Sequence, residues 1–313
     1  MSGAGPLSIL IYHRVLAAPD PLLPGVPDAA TFERHMRLLK RCFRVLSLSV
    51  ALRQLRHGTL PARALCITFD DGYADNAELA LPILRRHGLS ATFFIATAFL
   101  DGGRMWNDDV IDYVRQAPPG RLDFSMVGCG SLPGLTVAQK RQAIDQVLTQ
   151  LKYLPLATRQ EMADRLAPPR RQALMMTSGQ VRALQAAGME LGAHTHRHPI
   201  LTAMADADAY ADMAEGKAVL EAITGRRATL FAYPNGKPDT DYNGRHAEMA
   251  RALGFEAALS TVAGAAGPSS DPWQLPRYTP WQRDGARFVL RLALSRYREK
   301  VNRRAALPPL LGG

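Results

Sequence analysis

The chain has 313 residues, of which 47% are apolar and 21% are charged, and its formal net charge is +10. A chain of this length and apolar content can bury a large core and fits in one domain. Its three scattered cysteines exclude a disulfide framework, and no stretch approaches the roughly 20 apolar residues that span a bilayer. The apolar run at residues 7–12 is also too short for a secretory signal. We therefore expect a cytoplasmic protein with reduced thiols.

The positive charge is concentrated near the carboxyl terminus. Residues 283–304 contain eight Lys and Arg residues against two acidic residues, so this segment carries +6 and the other residues +4. Apolar residues recur within it at helical spacing: Leu290, Leu294, Tyr297 and Val301. We predict a basic amphipathic helix and tail over residues 283–313. It either packs on the domain or contacts an anionic membrane surface or a phosphate-bearing substrate. No nucleic-acid partner is expected, because no recognised binding module is present.

Strand-like and helical patterns alternate through most of the chain. In the first third, β-prone runs lie at 7–12, 45–48, 64–70 and 91–96, and helical patterns at 31–42, 49–57 and 75–87. Later, helical patterns at 178–187, 206–224 and 243–253 alternate with short strands at 190–194, 230–233, 257–260 and 275–278. About seven strands alternating with helices predict an α/β fold whose parallel sheet is closed or nearly closed.

Residues 105–175 interrupt this alternation. They contain helical patterns at 137–151 and 158–166, with Pro- and Gly-rich joints at 117–120 and 167–170. We interpret the segment as a helical insertion over the mouth of a single 1–313 domain. It is either a lid over the substrate or a plain decoration.

Two short motifs carry the candidate chemistry. Asp70 and Asp71 end one strand just before a Gly, and His194 and His198 follow the end of another. Side chains at the carboxyl ends of parallel strands face one site. Two imidazoles and one carboxylate suit a divalent metal ion, and a second carboxylate can take a proton from the metal's water. The spacing alone leaves open which carboxylate binds the metal, although Asp71 lies nearer the loop.

These motifs resemble those of the polysaccharide deacetylases of the NodB-homology group. The similarity rests on residues 67–73 (Ile-Thr-Phe-Asp-Asp-Gly-Tyr), 91–95 (Ala-Thr-Phe-Phe-Ile) and 192–201 (Gly-Ala-His-Thr-His-Arg-His-Pro-Ile-Leu). The resemblance implies a distorted (β/α)7 barrel that removes acetyl groups, usually N-linked, from amino sugars. It also implies that Asp70 is the general base and that Asp71, His194 and His198 bind one divalent ion, zinc or a similar metal.

The chain departs from the family pattern in two places. Where the family commonly has an Arg before a Pro-Tyr-Gly turn, residues 231–236 read Phe-Ala-Tyr-Pro-Asn-Gly. Arg277 either supplies the missing charge from another strand or forms an ordinary ion pair, and the N–H of Asn235 is a candidate oxyanion donor. The late His that often donates a proton is also missing. His13, in an early Tyr-His run, is the candidate general acid, as in the subgroup related to poly-N-acetylglucosamine deacetylases. Alternatively, it binds substrate or supports the metal ligands. Tyr73 either lines the pocket or packs.

The sequence thus predicts a metal-dependent hydrolase acting on N-acetylated amino sugars. Its substrate is a glycan or a lipid- or nucleotide-linked precursor in surface-glycan or exopolysaccharide assembly. The same residues suit a hydrolase of a small non-sugar amide. A catalytically inactive glycan-binding barrel is the remaining alternative, and the intact set of carboxylates and imidazoles argues against it.

Overall fold

The fold is given by a computed structural model that describes residues 5–168, 172–280 and 285–295. Residues 169–171 of the predicted insertion, and residues 283–284 and 296–313 of the predicted tail, with Tyr297 and Val301, lie outside the described residues, as do residues 281–282. The strands are β1 Ser8–Tyr12, β2 Arg44–Val45, β3 Ala64–Phe69, β4 Thr92–Ile95, β5 Arg121–Phe124, β6 Gly130–Pro133, β7 Glu190–Ala193, β8 Leu230–Ala232, β9 Ala257–Ala263 and β10 Leu275–Arg277. The helices are α1 Ala29–Cys42, α2 Leu48–Arg56, α3 Leu81–His87, α4 Trp106–Gln116, α5 Val137–Lys152, α6 Leu156–Leu166, α7 Ser178–Ala186, α8 Asp206–Thr224, α9 Gly244–Ala252 and α10 Gly285–Ser295.

Seven parallel strands form the wall of a barrel. They run in the order β1, β3, β4, β7, β8, β9, β10, and β2 adds a short eighth strand beside the start of β3. Tyr278, just after β10, closes the barrel: its N–H donates to the carbonyl of Ile9 at 2.8 Å, and its carbonyl accepts from the N–H of Ile11 at 3.0 Å. A register shift between Leu275 and Arg277 distorts this closing edge. The predicted distorted (β/α)7 barrel is confirmed.

Alternation along the strands decides which side chains fill the barrel. Ile9, Cys66 and Phe94 belong to one buried cluster, which α2 joins at the amino-terminal end of the strands. Their apolar neighbours in sequence belong to a larger cluster between the strands and the surrounding helices. Since Thr68 and Asp70 follow Cys66 at steps of two, alternation places Asp70 on the inner side at the carboxyl end.

One predicted helix differs from the observed one. The 75–87 pattern forms a π-helical turn at Asn76–Ala80, followed by α3. Pro82 is the physical reason, because it has no N–H to bond the carbonyl four residues earlier. The N–H of Leu81 instead reaches back to the carbonyl of Asn76, which widens the turn. Within the described residues, no helix is long and apolar enough to cross a membrane.

The insertion contains α4, a β5–β6 hairpin, α5 and α6. The sequence patterns predict α5 and α6 but not α4 or the hairpin. These elements share a buried cluster apart from the barrel core, with Trp106, Phe124 and Val147 among its members. The insertion contacts the barrel at the carboxyl ends of the strands, where Arg159 Nη2 donates to the carbonyl of His198 at 3.2 Å. It therefore lies beside the residues of the candidate site.

Helix α10 packs through a different face from the predicted apolar stripe. Leu290 and Leu294 are 59% and 54% exposed. Phe288 and Leu292 are buried instead, and the Phe288 ring stacks on His35 of α1 with ring centroids 4.2 Å apart. The basic helix is thus present over Gly285–Ser295, but its packed face is set by Phe288 and Leu292.

Candidate active site

Asp70 lies inside the barrel and is fixed by Arg277. The guanidinium donates from Nη1 to Asp70 Oδ1 and from Nη2 to Asp70 Oδ2, both at 2.7 Å. Its Nε donates to the carbonyl of Ser260 at 2.8 Å, and both charged side chains are buried. Burial opposes the charged carboxylate, but Arg277, together with His194 and His13, outweighs it, so the pKa of Asp70 is held below its usual value. The ion pair keeps Asp70 ionised and therefore able to accept a proton.

Asp71, His194 and His198 bring three ligand atoms together. Asp71 Oδ1 lies 3.4 Å from His194 Nε2 and 3.3 Å from His198 Nε2. Asp71 follows Asp70 directly, but its backbone is left-handed with φ of 77°, which ends the alternation of the strand. The two neighbouring carboxylates therefore reach the same site from consecutive positions.

The three residues fit a divalent metal ion. The carbonyl of Ala232 lies 2.7 Å from His194 Nδ1 and can only accept a hydrogen bond, so Nδ1 carries the proton and donates. In the neutral imidazole, Nε2 is therefore unprotonated and lies toward Asp71. Asp71 Oδ1 is buried and has no hydrogen-bond partner among the described residues, which is unfavourable unless a cation lies beside it. Ligand atoms around a tetrahedral zinc ion with bonds of about 2.1 Å are about 3.4 Å apart. The observed separations of 3.3 and 3.4 Å match this spacing.

The electrostatics of the cluster also favour a cation. Burial opposes the charge on Asp71, but the two imidazoles outweigh it and hold the pKa of Asp71 well below its usual value. Burial likewise opposes the charged form of His194, but Asp70 and Asp71 outweigh it and raise the pKa of His194. Burial lowers the pKa of His198, which keeps its imidazole neutral. A metal ion would take the place of the proton that the carboxylates draw to this site.

Helix α8 holds the loop that carries the histidines. Asp212 Oδ1 accepts from the backbone N–H groups of His196 at 2.9 Å and Arg197 at 3.1 Å. Thr195 has φ of 64°, which is unusual for a β-branched residue. The His196 ring lies outside the three-residue cluster, with its Nδ1 2.9 Å from the hydroxyl of Thr97. Only the first and third imidazoles of the motif therefore meet Asp71.

A cleft of about 450 Å³ opens beside the cluster, and Asp71, His13 and Tyr73 line it. His13 is exposed at the end of β1, whereas Tyr73 is buried and its hydroxyl donates to Asp108 Oδ2 at 3.1 Å. Asn235 lies outside the cleft lining, in the turn after β8, with φ of 58°; its N–H takes part in no hydrogen bond among the described residues. The structure thus places His13 and Tyr73 at the cleft and Asn235 beside a neighbouring strand.

Sequence reasoning missed several polar residues around the site. Asp108 and Arg159 come from the insertion, Asp212 from α8, and Arg14 and Asp75 from the loops after β1 and β3. All are buried except Arg14, which is half-buried. Arg14, next to His13, and Asp75, four residues after Asp71, could have been suspected from their closeness to the motifs. The other three carry no local signal, because only the folded chain brings them near.

A family model of polysaccharide deacetylases matches residues 57–118 and 133–258, more than half of the chain. The chain belongs to the polysaccharide deacetylase family. Membership implies a hydrolase that deacetylates carbohydrates, and this family is in general metal-dependent. The three clustered ligand atoms agree with that property.

Individual relatives are distant in sequence. YxkH of Bacillus subtilis, named as a polysaccharide deacetylase, is 22% identical over 273 residues, which cover 87% of this chain and 70% of that protein. The structure of IcaB from Ammonifex degensii has a TM-score of 0.62 and 18% identity, and covers 94% of this chain and 98% of its own. The Streptococcus pyogenes deacetylase PplD, in complex with acetate, has a TM-score of 0.60 and 19% identity, covering 88% and 92%. Both structures share the barrel fold with this deacetylase.

Proposed function

We propose that this deacetylase uses one divalent metal ion, zinc or a similar metal, to remove N-acetyl groups from amino sugars. Its substrate is an oligo- or polysaccharide or a lipid- or nucleotide-linked precursor, in surface-glycan or exopolysaccharide assembly. The observation that carries the proposal is the cluster of Asp71, His194 and His198 beside the ion-paired carboxylate of Asp70. A hydrolytic metal site needs such a ligand set together with a separate base.

The roles of the residues follow from their surroundings. A metal ion bound by Asp71, His194 and His198 would polarise the acetamide carbonyl and acidify a water. Asp70 would take the proton of the attacking water, because Arg277 keeps it ionised and leaves it no role as a ligand. His13, exposed in the cleft, would donate a proton to the leaving amine.

Two other functions suit parts of the same structure. A hydrolase of a small non-sugar amide would use the same cluster and base. An inactive glycan-binding barrel would keep the cleft without catalysis, but the buried, unpartnered Asp71 Oδ1 favours a metal centre. The identity of the hydrolysed substrate therefore distinguishes the small-amide hydrolase from our proposal. The presence of any turnover distinguishes the inactive glycan-binding barrel from it.

The proposal is tested by measuring acetate released from N-acetylated amino-sugar oligomers and nucleotide-linked sugars, with metal-stripped protein before and after zinc is added. We expect zinc-dependent acetate release. Asp70→Asn should keep zinc and lose about 10²- to 10⁴-fold in kcat, whereas Asp71→Asn should lose zinc itself. Asp123→Asn, an exposed carboxyl on β5, serves as the matched control. Stoichiometric zinc binding without acetate from any sugar would instead favour the small-amide hydrolase.

We further propose that the protein works in the cytoplasm and that α10 touches the anionic inner face of the membrane. Its free cysteines suit a reducing compartment. Leu290 and Leu294 are exposed on a helix that also carries Arg287 and Arg291, a pattern of interfacial helices.

Membrane contact is tested by sedimentation with vesicles of phosphatidylglycerol or of phosphatidylcholine. We expect binding to the anionic vesicles only, and loss of binding in the variant Leu290→Ser with Leu294→Ser. Leu135→Ser, a change at an exposed Leu in the insertion, controls for lost apolar surface. Equal binding by all three proteins would contradict the role of α10.

A further inference from the structure

The cleft beside the metal cluster has two walls of different chemistry. One wall is polar and carries Arg14, Tyr73, Asn107 and Asp108. Another part of the lining is largely aliphatic and is formed by residues 22–27, which read Leu-Leu-Pro-Gly-Val-Pro. The volume of about 450 Å³ lies within the range of small-ligand sites. A ligand with one polar and one apolar face would suit both walls.

The polar wall is held rigidly by its own contacts. Asp75 accepts from Arg14 Nε at 2.8 Å and from the N–H of Val15 at 3.1 Å. The Arg14 guanidinium lies over the Tyr73 ring, 4.5 Å from its centroid. Asn107 Nδ2 donates to the Tyr73 hydroxyl at 3.4 Å, and that hydroxyl donates to Asp108 Oδ2. These groups are therefore oriented before any ligand arrives.

Asp108 retains an acceptor for a ligand. Its Oδ2 accepts from Tyr73, but its Oδ1 makes no hydrogen bond among the described residues and lies 3.7 Å from Arg14 Nη1. The side chain is only 4% exposed, so this acceptor is largely removed from bulk water. An acceptor without a full hydrogen bond to the protein, on a residue that lines the cleft, is available to a ligand hydroxyl.

We propose that Asp108, with Asn107 and Arg14, binds ring hydroxyls of the sugar unit held beside the metal centre, while segment 22–27 packs against its C–H face. This inference rests on the proposed function and assigns the insertion a part in choosing the substrate. Asp108 and Asn107 lie in the first turn of α4, and Tyr73 follows Asp71 by two residues. The insertion thus places Asn107 and Asp108, the proposed sugar-binding residues, close to the metal ligands.

The test compares kcat/KM for acetate release from an N-acetylglucosamine disaccharide, its monodeoxy analogues and a small aryl acetate ester. In the wild-type enzyme we expect one monodeoxy analogue to be worse than the parent sugar by about 10- to 100-fold. In Asp108→Asn, the preference for sugar over aryl ester should fall by a similar factor, mostly through KM, and the discrimination against that analogue should disappear. Asn107→Ala should show a smaller loss of the same kind.

The controls separate this subsite from folding and from the proposed function. Asp123→Asn makes the same chemical change in the insertion, away from the cleft, and should leave both ratios unchanged. If wild-type protein acts on sugars but Asp108→Asn and Asn107→Ala keep both ratios, the subsite is wrong and the function stands. If wild-type protein releases acetate from no sugar, both proposals fail. Should Asp108→Asn not fold, Asn107→Ala alone decides the outcome.

Discussion

Two identical neighbours, Asp70 and Asp71, acquire different chemistry from their surroundings. Asp70 continues the inward alternation of β3 and meets Arg277, whereas the left-handed backbone of Asp71 turns it to the two imidazoles. Where the family commonly has an Arg, this chain has Ala232 and Tyr233, and Tyr233 is buried and stacks on Tyr242 with ring centroids 3.8 Å apart. The cation that pairs with the Asp70 carboxylate is instead Arg277, which lies on β10.

Replacing Arg277 with Met should impair both stability and catalysis. The change leaves Asp70 as a buried charge without a partner, which costs about 3–5 kcal/mol in free energy of unfolding. Activity should fall by at least about 10²-fold, since Asp70 loses both its orientation and its ionisation. Urea unfolding and acetate release measure the two effects.

The double variant Arg277→Met with Asp70→Asn distinguishes a lost charge pair from lost packing. We expect it to be more stable than Arg277→Met alone, because no unpaired charge remains. Arg86→Met breaks a pair whose Arg side chain is 60% exposed, so it should change stability far less than Arg277→Met does. A double variant no more stable than Arg277→Met would show that the guanidinium acts through packing alone.

At the scale of the element, the histidine motif depends on two glycines. A Cβ on Gly192 of β7 would lie 2.5 Å from the ring of Phe94, so only a glycine at this position leaves space for that ring inside the barrel. A Cβ on Gly216 of α8 would lie 2.4 Å from the carbonyl of Thr195 and 2.7 Å from the N–H nitrogen of His196. Helix α8 can therefore approach the loop only at a glycine, and this approach lets Asp212 bind the loop backbone.

Gly216→Ala should weaken metal binding although alanine is the better helix former. The gain in helix propensity is at most about 1 kcal/mol, and the clash with backbone atoms costs about 1–3 kcal/mol. The loop must shift, so zinc affinity should fall by about 10-fold or more, as when groups that orient metal ligands are lost. Titration of zinc against a competing chelator measures this change.

Gly244→Ala is the matched control, since a Cβ there meets nothing within 4 Å. It should retain wild-type zinc affinity. Unchanged zinc affinity in Gly216→Ala would mean that α8 does not position the histidine loop.

At the scale of the molecule, the sequence predicts what depends on local pattern and misses what depends on closure of the barrel. Alternating strands and helices, and the motifs at the ends of β3 and β7, are visible because their periods span only a few residues. The sequence suggests Arg277 as a source of the missing charge but does not give its partner. Its pairing with Asp70 joins residues 207 positions apart, so only the barrel brings them together. Helix α10 illustrates the same distinction. Its helical pattern is visible in the sequence, but the packing of Phe288 rather than Leu290 depends on contact with α1, which is distant in sequence.

The contact between insertion and barrel should make stability depend on pH through Asp108. Burial, only partly offset by Arg14, Arg104 and the Tyr73 hydroxyl, raises the pKa of Asp108 to about 7, and Asp71 adds to this. The folded protein therefore holds a proton that the unfolded chain releases near pH 4. The free energy of unfolding should fall as pH rises from about 4 to about 7, by an amount of the order of 4 kcal/mol.

Asp108→Asn removes the titrating group, so in metal-free urea titrations its stability relative to wild type should improve from about pH 5 to about pH 7 and level off above that. Asp123→Asn provides the control, because Ser125 lowers the pKa of the exposed Asp123 carboxyl and it is ionised in both folded and unfolded chains over this range. Its stability difference from wild type should stay constant. A constant difference for Asp108→Asn as well would mean that Asp108 is ionised in the folded protein throughout, with Arg14 and Arg104 fully compensating its burial.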